Sequence, residues 1–204
     1  MAYTNQLLVN PVTGQTLRFL QTAEDTGGKL LEMESVFAPH SVPPAVHYHP
    51  KQAEVFTVLQ GKILVRLNGH VFEMLEGDQF TIDPKTLHAM WNPFEAEAKL
   101  NWKVTPALTT ESFLETGFRL AQNGAVNAQG MPSLLQAVLL LDAYRSVYRL
   151  AKPPYAVQRL LSLLLKPIAR WKGLRTGLEK ATGPAKRSRL SLSVQKLTFT
   201  QKHS

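Results

Sequence analysis

Two histidines one residue apart, a glutamate five positions after the second and a glycine seven further on make up HYHPKQAEVFTVLQG, residues 47–61. Imidazole nitrogens and a carboxylate at this spacing can hold a divalent ion or move protons, and a third imidazole, His88 in GDQFTIDPKTLHAMWN, is available to join them. The set His47, His49, Glu54 and His88 suits one first-row divalent transition ion and leaves one or two coordination positions open. Iron, manganese, nickel, copper and zinc all accept such ligands, so ligand type does not separate them. The chain has no cysteine, which excludes thiolate ligands and disulfides.

These side chains need elements that aim them at one point. From Gln6 to about Ala107 the sequence runs in short apolar or alternating stretches: QTLRFLQT, KLLEMESVFA, EVFTVLQ, KILVRLNG, HVFEMLEG, DQFTID, LHAMWN and AKLNWKVT. Compact turn residues separate them, and Asn68-Gly69 between Leu67 and His70 is a two-residue hairpin signal, because both central positions of that turn want positive φ. Such a series predicts a mainly β fold, an antiparallel double sheet of jelly-roll type. Alternate residues of a strand share a face. His47 and His49 therefore point to one interior, and after a turn at Pro50-Lys51 the next strand brings Glu54, Phe56 and Val58 to it. His88 lies on a further strand, with Met90 and Asn92 on its face.

The same parity gives a lining of Phe56, Val58, Ile63, Val65, Phe80, Ile82, Met90 and Asn92, with Leu100 and Trp102. Phe56, Phe80, Met90, Asn92 and Trp102 are the candidate pocket residues, and the others fill the barrel core. No lysine or arginine falls on an inward position, which disfavours a phosphosugar substrate. The pocket expected here accepts a small, largely apolar or aromatic molecule. Redox chemistry carried by a metal asks little of such walls, so an oxygenase is preferred over a hydrolase or isomerase. A non-catalytic metal or small-ligand binding module is the alternative, since fold does not decide between enzyme and binder.

The spacing resembles the cupin superfamily. Its first motif runs glycine, five residues, His-x-His, three or four residues, Glu, six residues, Gly, and His47, His49, Glu54 and Gly61 meet all but its opening, where Ser41 replaces glycine. Its second motif is met by Gly77, His88 and Asn92, with Asp83-Pro84-Lys85 in place of Pro-x-Gly. The resemblance covers roughly residues 5–118, and the lead-in TAEDTGGKLLEMES also resembles that of small bacterial single-domain cupins. It implies a double-stranded β-helix barrel, a bound metal with Glu54 as ligand and catalytic proton acceptor, and a homodimer formed through the outer sheet.

Charge divides the chain. Residues 1–118 carry 8 Lys+Arg against 13 Asp+Glu, a net −5, whereas residues 119–204 carry 15 against 2, a net +13. The division predicts a barrel domain over 1–118, a basic helical extension over 119–182 and a flexible basic tail over 183–204. Helices are expected from Thr110 towards Gly124, across 133–152 until Pro153-Pro154, and across 155–173 with a kink at Pro167. In the last, Val157, Leu160, Leu161, Leu164, Ile168 and Trp171 form one stripe and Arg159, Lys166 and Arg170 another. The preferred reading buries the leucines against the barrel or a partner subunit and leaves the arginines in water. Attachment of the helices in 133–172 to a membrane surface is the less favoured reading. No nucleic acid is expected, because no recognised reading motif accompanies the charge. No leader or apolar span of ~20 residues is evident in the sequence, so a cytoplasmic location is expected.

Overall fold

A computed structural model describes residues 2–176; the flexible tail expected over 183–204 lies outside the described residues. In chain order the elements are β1 (Leu7–Val9), β2 (Thr16–Gln21), β3 (Leu31–Phe37), β4 (His47–Tyr48), β5 (Ala53–Gln60), β6 (Lys62–Leu67), β7 (His70–Leu75), β8 (Gln79–Ile82), β9 (His88–Trp91) and β10 (Ala98–Thr105). They are followed by α1 (Thr110–Gln122), α2 (Leu134–Ala143), β11 (Arg149–Leu150) and α3 (Tyr155–Trp171). Two antiparallel sheets form, ordered β1-β2-β3-β10-β5-β8 and β11-β4-β9-β6-β7.

Period-two burial follows the sequence pattern. In β5, Glu54, Phe56 and Val58 are buried while Val55 and Thr57 are half-buried. Phe56, Val58, Ile63, Val65, Ile82 and Leu100 make one core cluster. A second, with Leu17, Phe19, Leu31, Met33 and Val104, also takes in Phe118 of α1. The boundary expected at 118 thus falls within a helix that packs on the barrel. Asn68 and Gly69 both have positive φ, 47° and 94°, and close the β6–β7 hairpin with Leu67 opposite His70.

Gly61 ends the first motif for a steric reason. Its φ is 73°, and a Cβ there would meet the Glu97 carbonyl oxygen at 2.6 Å. The second-motif glycine position behaves differently, because Lys85 occupies it in the left-handed region at φ 71°. Lys85 N–H donates to the His49 carbonyl at 2.8 Å and so ties the loop before β9 to the end of β4. Ser41, at the other departure from the motif, donates its N–H to the Asn92 carbonyl at 2.7 Å and accepts from Asn92 N–H through Oγ at 2.7 Å.

The extension corrects two expectations. The helix predicted across 133–152 ends at Ala143. Tyr144 is fully buried, its hydroxyl within 3.2 Å of Thr116 Oγ and 3.0 Å of the Ser112 carbonyl, and the chain then turns to pair Arg149 with Tyr48 and Leu150 with His47. Covering the open edge of β4 outweighs the leucine periodicity. The second correction concerns α3, whose leucine stripe faces away from the barrel rather than being buried against it. Its inward residues are Gln158, Ser162 and Ala169. Asp142 of α2, almost buried, binds Arg159 and Lys166, and Gln158 Nε2 donates to the Leu150 and Pro153 carbonyls at 2.9 and 2.7 Å. These polar contacts fix which face of α3 meets the protein.

Candidate metal centre

β4 and β9 are antiparallel neighbours with His47 directly opposite His88. Alternation along the end of β4 places His49 beside them. One ligand nitrogen from each of the three rings lies within 4.8 Å of the other two. Glu54 enters from β5 in the facing sheet, and its Oε2 stands 3.3 Å from His49 Nε2 and 3.2 Å from His88 Nε2. The three histidines thus form one group, and Glu54 reaches two of them, His49 and His88.

The backbone sets the tautomers. His47 Nδ1 lies 3.0 Å from the Ala45 carbonyl and His88 Nδ1 2.9 Å from the Thr86 carbonyl, while His49 Nδ1 is bonded to the Val147 carbonyl. A carbonyl can only accept, so each Nδ1 carries the proton and, in the neutral ring, each Nε2 presents a lone pair. His49 Nε2 and Glu54 Oε2 are buried without a well-formed hydrogen bond. Acceptors converging in a dry site with no protein donor between them fit a cation, and the carbonyls behind the rings supply the outer contacts that orient metal-bound histidines. The donor set of nitrogen and oxygen is that of a first-row divalent ion.

Electrostatics hold His47 neutral and Glu54 ionised, as ligands require, whereas the same Glu54 charge draws a proton towards His49, with which a cation would compete. Burial, reinforced by His88 and His49, drops the pKa of His47 to about 3, so this ring is neutral over the physiological range. For Glu54, burial opposes ionisation, but His49 and His88 outweigh it and hold the carboxyl well below the usual range. Burial likewise opposes the His49 cation, yet the Glu54 charge and hydrogen bonding win and raise its pKa.

The other candidate pocket residues divide. Phe80, Phe56 and Trp102 form a ladder across β8, β5 and β10, with ring centroids 5.2 and 5.4 Å apart. Trp102 Nε1–H donates to Glu54 Oε1 at 3.0 Å and leaves Oε2 for the histidines. Met90 is half-buried against the core cluster that holds Phe56. Asn92 does not join them. Its amide donates to the Phe37 and Ala96 carbonyls at 3.1 and 2.8 Å, and its Oδ1 accepts from Phe94 N–H.

Sequence reasoning missed the contribution of the extension. Tyr148 stacks on His47 with centroids 4.6 Å apart and rings 25° from parallel. Burial pushes its phenol pKa up, so the ring is neutral. Beyond Tyr148, an apolar cavity of ≈ 190 Å³ is lined by Phe113, Leu120, Met131, Leu140 and Leu150, among others. One signal was present, the aromatic and β-branched cluster YRSVYRL, but the leucine periodicity leading into it masks the change to a strand. His40 instead pairs with Glu95 at 3.0 Å, away from the centre, and His203 is outside the described residues.

Comparison with known proteins matches residues 33–104 to the family described as Cupin domain. No curated protein matches the chain. Similar solved structures include an RmlC-like cupin from Shewanella frigidimarina, 20% identical over 54% of this chain and 94% of that one, with a TM-score of 0.45. A predicted oxalate decarboxylase from Thermotoga maritima is 19% identical over 50% of this chain and 92% of its own, with a TM-score of 0.44. The polyketide cyclase RemF from Streptomyces resistomycificus is 20% identical over 46% of this chain and 65% of its own, with a TM-score of 0.41. With the matched domain seated in two antiparallel sheets and its motif side chains gathered between them, the chain carries a cupin domain followed by a helical C-terminal extension.

Proposed function

We propose that the chain is a metal-dependent cupin of oxygenase type acting on a small, largely apolar or aromatic molecule. The observation that carries this reading is the convergence of three Nε2 lone pairs and the Glu54 carboxylate, each imidazole oriented through Nδ1 by a backbone carbonyl. His47, His49, His88 and Glu54 would hold one divalent transition ion. When bound, a redox-active ion supplies the electron chemistry, with dioxygen as oxidant. Glu54 Oε2 is the proton acceptor of the site, and Trp102 holds that carboxylate in place from the other oxygen. Phe80 and Trp102, half-buried at the two ends of the aromatic ladder, would meet an aromatic substrate, with Phe56 packed between them as core, while Tyr148 limits access of water to His47. No lysine or arginine is buried among the described residues, in keeping with an uncharged substrate.

A second reading, a non-catalytic binding module, is favoured by one observation. Tyr148 lies over His47, and His49, His88 and Glu54 are each less than a tenth exposed. The two readings separate in an oxygen-electrode and mass-spectrometric screen of protein loaded in turn with Fe(II), Mn(II), Ni(II) and Cu(II) against small aromatic and apolar molecules. Substrate-dependent oxygen uptake that disappears in Glu54→Ala supports the enzyme. Saturable binding with no uptake and no product supports the module.

A further inference from the structure

Seventeen residues of α3 make one amphipathic surface turned the wrong way for a core helix. The face on the protein carries Gln158, Ser162 and Ala169, whereas Leu160, Leu163, Leu164, Ile168 and Trp171 are all exposed, Leu163 by 73% and Trp171 by 85%. Ordinary surface helices bury their leucines and solvate their polar face. Beside the leucine stripe runs a basic ridge of Arg159, Lys166 and Arg170, which edges a cleft of ≈ 310 Å³. Asp142 neutralises part of this ridge and holds it against the body. Among the described residues no helix is long and apolar enough to cross a membrane.

From this arrangement we infer that α3 lies on an anionic lipid surface, with its leucines and Trp171 in the headgroup and acyl boundary and its basic ridge against the phosphates. An apolar stripe with tryptophan flanked by lysine and arginine is the pattern of helices that rest in the interface plane. Charge argues against two other occupants. A second copy docked face to face brings two basic ridges together. Residues 177–204 carry six Lys+Arg against Glu179 alone, the same sign as the ridge.

The test is sedimentation of the full chain with vesicles of phosphatidylcholine alone or with about 30% phosphatidylglycerol, at low salt and at about 0.5 M NaCl, where charge attraction is screened. Wild type pellets with the anionic vesicles at low salt, and its partitioning falls at least about tenfold at high salt. Leu160→Ser with Leu164→Ser, both exposed and so harmless to folding, lowers it by a similar factor. The chain has no cysteine, so Leu164→Cys reports its own surroundings. The thiol of that variant reacts rapidly with a maleimide in solution and is protected by anionic vesicles. The inference is overturned if wild type stays in the supernatant at low salt, or if the double variant binds as wild type does. Resistance of the Leu164→Cys thiol to maleimide without vesicles also overturns it, with dimer-to-monomer conversion in the double variant assigning the face to a second copy and an unchanged monomer assigning it to residues 177–204.

Discussion

Replacing Trp102 by phenylalanine tests the support of the candidate centre at a single bond. Glu54 is 1% exposed and its Oε1 receives the Trp102 Nε1–H at 3.0 Å. A hydrogen bond to a buried charge is worth about 1.5–3 kcal/mol, and leaving that charge short of a donor forfeits it. Phenylalanine keeps the stack on Phe56 but gives up part of the indole, for about 1 kcal/mol more. The metal-free variant is therefore expected to lose about 2.5–4 kcal/mol, which for a chain of this length lowers Tm by about 5–15 °C. Urea unfolding in excess chelator measures the loss without a metal contribution. A double-mutant cycle with Glu54→Leu isolates the bond from the packing, since the leucine removes the acceptor at similar volume. The expected coupling is about 1.5–3 kcal/mol. Additivity of the two substitutions within about 0.5 kcal/mol would refute the argument that Trp102 holds this carboxylate.

Other outcomes follow from the same contacts. Lys85→Gly relieves a left-handed side-chain conformation at φ 71°, a strain of about 1–2 kcal/mol, and is expected to raise unfolding stability by about 0.5–1 kcal/mol after the glycine's own entropy, read by urea titration. Tyr148→Ala removes the ring stacked on His47 and is expected to weaken Zn(II) or Ni(II) binding about 10–100-fold by calorimetry, whereas Tyr148→Phe keeps the stack and binds within about twofold of wild type. Asp142 is opposed by burial but held ionised by Lys166, Arg159 and Arg145, so its folded pKa lies below its unfolded value near about 4. Its contribution is present above that value and is lost as pH falls through the folded pKa. Wild type should thus exceed Asp142→Asn in thermal stability at neutral pH, and the gap should narrow and close as pH falls below the usual carboxylate range.

Much of the barrel was legible because buried strands repeat with period two, and the four candidate ligands were legible because His47, His49, Glu54 and His88 keep both spacing and strand parity. Two short strands were not. Leu7–Val9 and Arg149–Leu150 have three and two residues, too few for a pattern to show. The role of Val147 and Tyr148 was hidden because contacts across 98 residues leave no local trace and a leucine-rich helix runs into them. On α3 the stripe could be read but not its direction. That direction is set by Asp142, whose only acidic companion beyond residue 118 is Glu179, and one of just two acidic side chains amid fifteen basic residues was the available hint.

The most direct measurement is elemental analysis of protein purified without an affinity metal column or chelator, comparing wild type with His49→Ala and His88→Ala. About one divalent transition ion per chain is expected in wild type, with its loss in both variants. Wild-type protein that is metal-free and also refuses added Fe(II), Mn(II), Ni(II), Cu(II) and Zn(II), or variants that keep full stoichiometry, would contradict a metal centre built from these four residues.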